Sequence, residues 1–152
     1  MFTGQKPRTM DSKGRIPVPA EFRHELGESV WVVEGLWGAL VVFTNDGFNE
    51  FLKELKGDPI DPDLMALKYQ YAATAEQVKI DSAGRIRITE AQIDAANLTR
   101  EVMMVGMIDQ IHIWDKEAWL AHKKASDYEK NARDMAARRA LTAQAAATQA
   151  RR

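Results

Sequence analysis

The chain has 152 residues, of which 45% are apolar and 28% are charged, a balance typical of a folded protein with one compact domain or two small ones. It contains no cysteine, which excludes disulfides and thiolate zinc sites, and apolar clusters such as residues 38–43 are too short to span a bilayer. The formal net charge of -1 excludes a uniformly basic surface of the kind that coats nucleic acid.

The first part of the chain predicts a small β-rich unit. Residues 11–15, Asp-Ser-Lys-Gly-Arg, are predicted as a turn, because the aspartate can bond the local backbone and the glycine can take a positive φ. Pro19 favours the first turn of a helix that has Phe22 and Leu26 on one face. The predicted elements of this unit are strands over residues 3–9 and 16–18, a helix from Pro19, an apolar hairpin that turns at residues 35–38, and a helix from near Asn45.

A loop and a helix follow this unit. Residues 57–62 contain two prolines and two aspartates, which is typical of a loop. Residues 63 to about 74 are predicted as a helix, with Leu64, Leu67 and Tyr71 spaced to bury one stripe.

The second part of the chain repeats the first. Residues 81–88, Asp-Ser-Ala-Gly-Arg-Ile-Arg-Ile, match residues 11–18 at an offset of 70. At an offset of 71, three further segments match in the same order: residues 102–106 with 31–35, residues 111–114 with 40–43, and Trp119 with Phe48. The same elements are therefore predicted: strands over residues 76–80 and 86–88, a helix capped by Thr89 with Ile93 and Ala96 facing inward, a hairpin that turns at residues 106–110, and a helix from near Asp115.

These elements predict a β-rich α+β fold. A unit of about 45 residues with four short strands is only marginally stable alone. The two copies are therefore expected to interleave as a pseudo-two-fold β-barrel with flanking helices. The predicted division is a first module at residues 1–56, a linker and connecting helix at 57–75, a second module at 76–124, and an Ala/Arg-rich helical tail at 125–152. Only Met135 and Leu141 offer anchors in the tail, so its end is expected to fray.

Several segments together resemble the MraZ family, whose members carry tandem SpoVT/AbrB-type domains. They are the opening Met-Phe-x-Gly, the turn segments at residues 11–19 and 81–85, and residues 101–106 and 114–119. The resemblance covers about residues 1–125. It implies AbrB-like modules with swapped hairpins, assembly into a ring-shaped homo-oligomer, and repression of the promoter of the division and cell-wall gene cluster at short tandem repeats in the DNA.

Arg15 and Arg85 are the main candidates for contact with DNA. Each follows a turn, so its side chain extends from a fixed backbone position. Its guanidinium can then form bidentate hydrogen bonds with guanine or phosphate. From the residues alone, a structural ion pair with the aspartate four residues earlier is an equal alternative. The resemblance favours DNA contact, because the Asp-x-x-x-Arg pairs match the DNA-binding motif of the family.

The other turn residues are expected to support these arginines. Asp11 and Asp81 would hold the turns and orient the arginines, since a carboxylate that faced DNA would be repelled by phosphate. Gly14 and Gly84 supply the positive φ. Phosphate contacts are predicted for the basic residues that flank the turns: Lys6, Arg8 and Lys13 in the first copy, and Lys79 and Arg87 in the second. Ala83 stands in place of Lys13, and Pro17 in place of Arg87, so the two copies are not expected to grip DNA identically.

The charges are segregated along the chain, which permits one basic face despite the neutral total. Residues 1–23 carry five basic and two acidic residues, residues 25–63 two basic and nine acidic, and residues 116–152 nine basic and four acidic. We therefore expect double-stranded DNA as the partner, a soluble protein in the cytoplasm associated with the nucleoid, and no membrane partner.

The tryptophans and histidines predict no chemistry. Trp31, Trp37, Trp114 and Trp119 are expected in core or interface packing, with Trp37 and Trp119 as candidate seams between subunits. The histidines show no metal-ligand spacing, so neither a metal nor a cofactor is expected: His24, His112 and His122.

Three other functions stay open. The two turn aspartates could meet across the pseudo-two-fold axis as a catalytic dyad, although no nucleophile–base pair or phosphate-binding loop is present and the chain is not expected to be an enzyme. An AbrB-like antitoxin usually has one module and a toxin-binding arm, which the two modules here argue against. A ring-forming interaction protein that does not bind DNA is the third.

Overall fold

The computed structural model describes residues 1–151 and has an α+β architecture, as the sequence predicts. The strands of this range are β1 (Gln5–Thr9), β2 (Arg15–Pro17), β3 (Ser29–Glu34), β4 (Leu40–Thr44), β5 (Glu76–Lys79), β6 (Arg85–Arg87), β7 (Glu101–Gly106) and β8 (Gln110–Asp115). Its α-helices are α1 (Ala20–Leu26), α2 (Asn45–Glu54), α3 (Pro62–Tyr71), α4 (Glu90–Ala95), α5 (Lys116–Ala125) and α6 (Tyr128–Ala150).

The chain forms two compact units, Met1–Trp119 and Leu120–Arg152. Both copies of the repeat lie in the first unit. This division follows spatial compactness rather than the repeat, and the four-part division drawn from the sequence stays a prediction.

The first unit is built on a six-stranded antiparallel sheet of order β1-β7-β8-β4-β3-β5. The first strand of each copy pairs with the third strand of the other, because β1 pairs with β7 and β5 pairs with β3. If the two copies are exchanged, the strand order is the same when it is read from the opposite edge of the sheet. Strands β1 and β5 are the two edges and do not pair with each other among the described residues, so the sheet is open. The six-stranded sheet is therefore not a closed barrel, and the predicted pseudo-two-fold barrel and swapped-hairpin modules stay unconfirmed.

A second, two-stranded sheet joins the copies at their centre. Strands β2 and β6 pair antiparallel, with Ile16 opposite Ile86. Both isoleucine side chains are fully buried in the main core cluster. The cluster also takes Val18 and Ile88, which follow these strands directly. This pairing therefore binds the two turn segments to one shared core.

The helices follow their local sequence signals. Helix α1 buries Phe22 and Leu26, as predicted, and Pro19 stands at its N-cap. Thr89 caps α4 in a capping box with Gln92, which confirms the predicted start of that helix. Helix α3 ends at Tyr71, and Leu67 is exposed, so the predicted buried stripe of α3 is wrong at that residue. Its polar Gln70 donates instead to the Gly35 carbonyl oxygen at 2.9 Å.

Both predicted hairpins are present, β3–β4 and β7–β8. Each turn places a bulky residue in the left-handed region, Trp37 at φ 56° and Ile108 at φ 71°. These residues are equivalent at the repeat offset of 71, and their side chains are 74% and 66% exposed. Such a backbone is unfavourable for an isoleucine, so the surrounding hairpin must impose it.

The second unit contains helix α6, which runs without a break from Tyr128 to Ala150. The fraying predicted for its end stays a prediction. Alanine favours the helix, Asp127 caps its start, and Lys130 forms an ion pair with Asp134 at 3.9 Å. The expected anchors Met135 and Leu141 are exposed.

Because Ile86 is fully buried where the two copies pair, Ile86→Ala should lower the free energy of unfolding by about 2–5 kcal/mol. Urea denaturation measures this change. Ile60→Ala is the matched control, since Ile60 is 84% exposed and its loss should change the free energy by about 0.5 kcal/mol or less. Equal effects of the two substitutions would show that the β2–β6 pair does not join the copies.

Candidate nucleic-acid interface

The turn between β1 and β2 is organised by the Asp11 carboxylate. Its Oδ1 atom accepts from the backbone amides of Lys13 and Arg15, both at 2.9 Å. Its Oδ2 atom accepts from the Arg15 Nε at 2.6 Å. One carboxylate therefore fixes both the backbone of the turn and the direction of the arginine side chain.

The turn between β5 and β6 repeats this arrangement. The Asp81 Oδ1 atom accepts from the amides of Ala83 at 3.0 Å and Arg85 at 2.9 Å, and Oδ2 accepts from the Arg85 Nε at 2.9 Å. The expectation that each aspartate holds its turn and orients its arginine agrees with this geometry. The structural ion pair that the sequence left as an alternative is present in both copies.

The two turns are brought together by strands β2 and β6. The Ile88 amide donates to the Gly14 carbonyl oxygen at 2.8 Å, and the Val18 amide donates to the Gly84 carbonyl oxygen at 2.9 Å. The Arg85 Nη1 lies 3.9 Å from the Asp11 Oδ2, so the carboxylate of one copy also attracts the arginine of the other. The two arginine turns consequently form one continuous feature.

Gly14 and Gly84 are favoured at these turns by their backbone conformation, and Gly14 also by its close approach to the backbone of the other copy. Both have a positive φ, 78° and 77°. A Cβ at position 14 would also lie 2.7 Å from the Ile88 backbone carbonyl oxygen, whereas one at position 84 would meet the Arg23 guanidinium, the end of a flexible side chain that could move aside. The predicted backbone role of these glycines agrees with both features.

The hydrogen bonds keep both turn aspartates ionised. The Arg15 amide, followed by the Arg15 side chain and the Lys13 amide, holds the pKa of Asp11 at about 2, below its ordinary 3.8. The same pattern, led by the Arg85 amide, lowers the pKa of Asp81. A catalytic dyad needs one carboxyl group that keeps a proton, and the direction of both pKa shifts opposes this.

The remaining basic residues predicted as contacts fall into separate places. Lys13 and Arg87 line the same open cleft, together with Glu90 and Ile93. The others lie on the two edges of the six-stranded sheet: Lys6 and Arg8 on β1, and Lys79 on β5.

Arg23, on α1, is a basic residue for which the sequence predicts no contact beyond its contribution to the charge of residues 1–23. Its Nε donates to the Val18 carbonyl oxygen at 2.9 Å, and its guanidinium covers Gly84 of the other copy. The signal in the sequence was that α1 begins shortly after β2, the strand that follows the turn. The partner across the copies depends on strand pairing that the sequence does not display.

Three of the tryptophans pack as predicted. Trp31 stacks on Phe48 at 4.7 Å between ring centroids, and Trp114 contacts Trp119 at 5.6 Å. Trp119 also donates to the Gln5 Oε1 at 2.7 Å. The Trp37 side chain is largely exposed, so its predicted place at an interface between subunits stays a prediction.

The histidines lie outside the two turns. His112 is half-buried in β8 beside Gln110, and burial lowers its pKa. Within residues 1–151, His, Asp and Glu side chains form no group of three or more that could hold a metal ion. In the same range, none of the helices has the length and apolar character to cross a membrane.

Comparison with known families gives a match over most of the chain. Residues 1–64 and 71–143 match the family described as "MraZ protein, putative antitoxin-like". The chain belongs to the MraZ family. The match extends past residue 125, where the resemblance drawn from the sequence ended.

Curated relatives carry the same family name. Proteins called "Transcriptional regulator MraZ" include one from Lachnoclostridium phytofermentans, 37% identical over 78% of this chain and 84% of the relative. One from Corynebacterium jeikeium is 38% identical over 78% of this chain and 84% of the relative. One from Caldanaerobacter subterraneus subsp. tengcongensis is 34% identical over 84% of this chain and 90% of the relative. The family resemblance predicted from the motifs is thereby confirmed.

The lowered pKa of Asp11 predicts a pH effect on stability. The folded pKa is about 2 and the ordinary value is 3.8, so the stabilising contribution of this carboxylate is present above 3.8 and is lost as the pH falls towards 2. Wild-type stability should therefore fall more steeply across this window than that of Asp11→Asn, as measured by urea denaturation at a series of pH values.

Asp94→Asn is the control, because Asp94 is an exposed carboxylate on α4, outside the turns. It should leave the wild-type pH profile unchanged across this window. Parallel profiles for the wild type and Asp11→Asn would contradict the prediction.

Proposed function

We propose that this protein is a sequence-specific DNA-binding transcriptional regulator that contacts double-stranded DNA through Arg15 and Arg85. The observation that carries the proposal is the paired arrangement of the two arginines. Each has its Nε occupied by its own aspartate and a side chain that is about one-third exposed. The Nη groups are then the donors available for a guanine edge or a phosphate, from a guanidinium whose direction is already set.

Membership of the MraZ family supports the same role. Its curated relatives are named transcriptional regulators, a class whose proteins generally are not enzymes. The ionised state of Asp11 and Asp81 adds to this, because it suits the orientation of arginine better than proton transfer. We propose a regulator rather than an enzyme on these grounds.

The partner and the target follow from the family resemblance and are proposals for this chain. The protein would act as a repressor at tandem repeats in the promoter of the division and cell-wall gene cluster, and it would associate with the nucleoid in the cytoplasm. It would work as a ring-shaped homo-oligomer. The exposed Trp37 supports a seam between subunits at the hairpin turn, whereas Trp119 is engaged with Trp114 and Gln5.

An antitoxin role is the second candidate, because the family description includes the term antitoxin-like. A toxin partner would be bound by a segment outside the turn region. Loss of DNA binding in the turn variants therefore separates the two functions, since a toxin complex should survive it.

Arg15→Ala and Arg85→Ala should each weaken specific DNA binding by about ten-fold or more, because a bidentate base contact contributes about 1–3 kcal/mol. The affinity is measured by fluorescence anisotropy, in a titration of each protein into labelled DNA from upstream of the encoding gene. Circular dichroism checks the fold of each variant.

Arg15→Lys is the informative control. It keeps the charge but loses the planar fork, so it should retain binding to a scrambled duplex and lose preference for the specific one. Wild-type affinity in folded Arg15→Ala and Arg85→Ala proteins would refute DNA contact at these turns and leave a ring-forming or antitoxin role.

An assembled particle should prefer several repeats, because later contacts within one complex are intramolecular and add about a hundred-fold or more in avidity. We expect tight binding to DNA with three repeats and weak binding to DNA with one. Three repeats with the spacing altered by half a helical turn should also bind weakly, since successive sites then face opposite sides of the duplex. Equal affinity for all three duplexes would exclude multivalent recognition.

A further inference from the structure

The Asp–Arg ion pairs of the two turns are nearly neutral by themselves. Arg15 is ion-paired with Asp11 and Arg85 with Asp81, so each pair adds little net positive charge. Attraction to the phosphate backbone depends on further cations beside the turns, because it scales with the number of phosphates neutralised.

The first turn has such cations in its own neighbourhood. Lys13 belongs to the turn itself, and Arg87 reaches it from the paired strand, since β2 and β6 place Arg87 opposite Arg15. Both line one open cleft. The second turn lacks both of these residues, because Ala83 and Pro17 stand at the equivalent positions.

Arg23 supplies a cation to this second turn from the other copy. It lies on α1, which is anchored by the buried Phe22 and Leu26. Its guanidinium covers Gly84, where even a Cβ would collide with it. The side chain is held there by the bond from Nε to the Val18 carbonyl oxygen, at 2.9 Å.

The charge of Arg23 is available to a ligand. The residue is exposed, and it has no carboxylate ion-pair partner within residues 1–151. This distinguishes it from Arg15 and Arg85, whose charges are largely compensated.

The repeat shows that this cation is specific to one turn. The residue equivalent to Arg23 is Ile93, whose Cδ1 would lie 3.3 Å from a Cβ at Gly14. An apolar side chain thus covers the glycine of the first turn, where Lys13 is present. A guanidinium covers the glycine of the second turn, where Lys13 has no counterpart.

We propose that Arg23 is a further DNA-contacting residue, which binds a backbone phosphate beside the second turn in place of the cation that Ala83 does not provide. The inference rests on the proposed DNA-binding function and extends it to a residue of α1. Because a phosphate contact carries no base information, Arg23 should strengthen binding to specific and scrambled duplexes by the same factor.

The test compares wild type, Arg23→Ala, and the double variant Arg23→Ala/Ala83→Lys on a specific and a scrambled duplex across a salt series. Loss of one phosphate contact should reduce the slope of log affinity against log salt by about 0.9 per bound chain. Between about 50 and 200 mM salt, the fold-change in affinity should become about 3.5-fold smaller per bound chain. The double variant should recover most of the slope, because Ala83→Lys returns a cation to the same turn.

Lys56→Ala is the matched control, since it removes one exposed positive charge just after α2. It should leave the slope unchanged. Thermal unfolding of every variant distinguishes a phosphate contact from a purely structural role for Arg23. In a structural role, Arg23→Ala would lower the melting temperature, the salt slope would stay at its wild-type value, and Ala83→Lys would restore nothing.

The outcomes separate this inference from the proposed function. If the wild type binds neither duplex, the DNA-binding function itself fails. If the wild type binds and Arg23→Ala keeps both its affinity and its salt slope, Arg23 does not contact phosphate, and the proposed function stands. A loss in Arg23→Ala that Ala83→Lys does not restore, with a lowered melting temperature, would also overturn the contact.

Discussion

The pairing of β2 with β6 is the interaction on which the rest of the first unit depends. These are short strands, yet they place Ile16 against Ile86 in the core and exchange backbone hydrogen bonds between the turn of one copy and the residue after the strand of the other. Neither copy could bury its isoleucine alone, because a unit of this size has too little interior. The long sheet adds to the same effect, since β1 and β5 each complete the hairpin of the opposite copy.

The turns are rigid because their polar groups are satisfied locally. One aspartate in each copy accepts two backbone amides and one guanidinium, so the same carboxylate fixes the turn and the direction of the arginine side chain. Charge-assisted bonds of this kind are stronger than neutral ones, and they act here at the surface, where the residues remain partly exposed. Such a surface is already organised before any partner arrives, so that little conformational entropy is lost on binding.

Local features were predictable from the sequence because they depend on neighbouring residues. The turn at residues 11–15, the cap at Thr89 and the two hairpins all follow from residue types at short spacing. The repeat also predicted that the copies depend on each other.

Features that depend on distant residues were harder to predict. Whether a sheet closes is set by strand tilt and stagger across the whole molecule, and the sequence pattern of an open sheet is the same as that of a barrel. The placement of Arg23 over Gly84 joins residues 61 positions apart, and only the pairing of β2 with β6 brings them together. At Leu67 the burial predicted from the spacing of apolar residues was wrong. Helix α3 instead contacts the carbonyl oxygen of Gly35 through the polar Gln70.

The fusion of two modules into one chain has a consequence for symmetry. Two identical modules would present the same surface after rotation by half a turn, whereas here the equivalent positions carry Lys13 and Ala83, and Arg23 and Ile93. The backbone keeps the two-fold arrangement, but the charges do not. The first unit therefore has a polarity, because exchange of the two copies puts unlike charges at equivalent positions. On any linear partner, its two orientations differ in energy, and a direction can be chosen without any asymmetry in the fold.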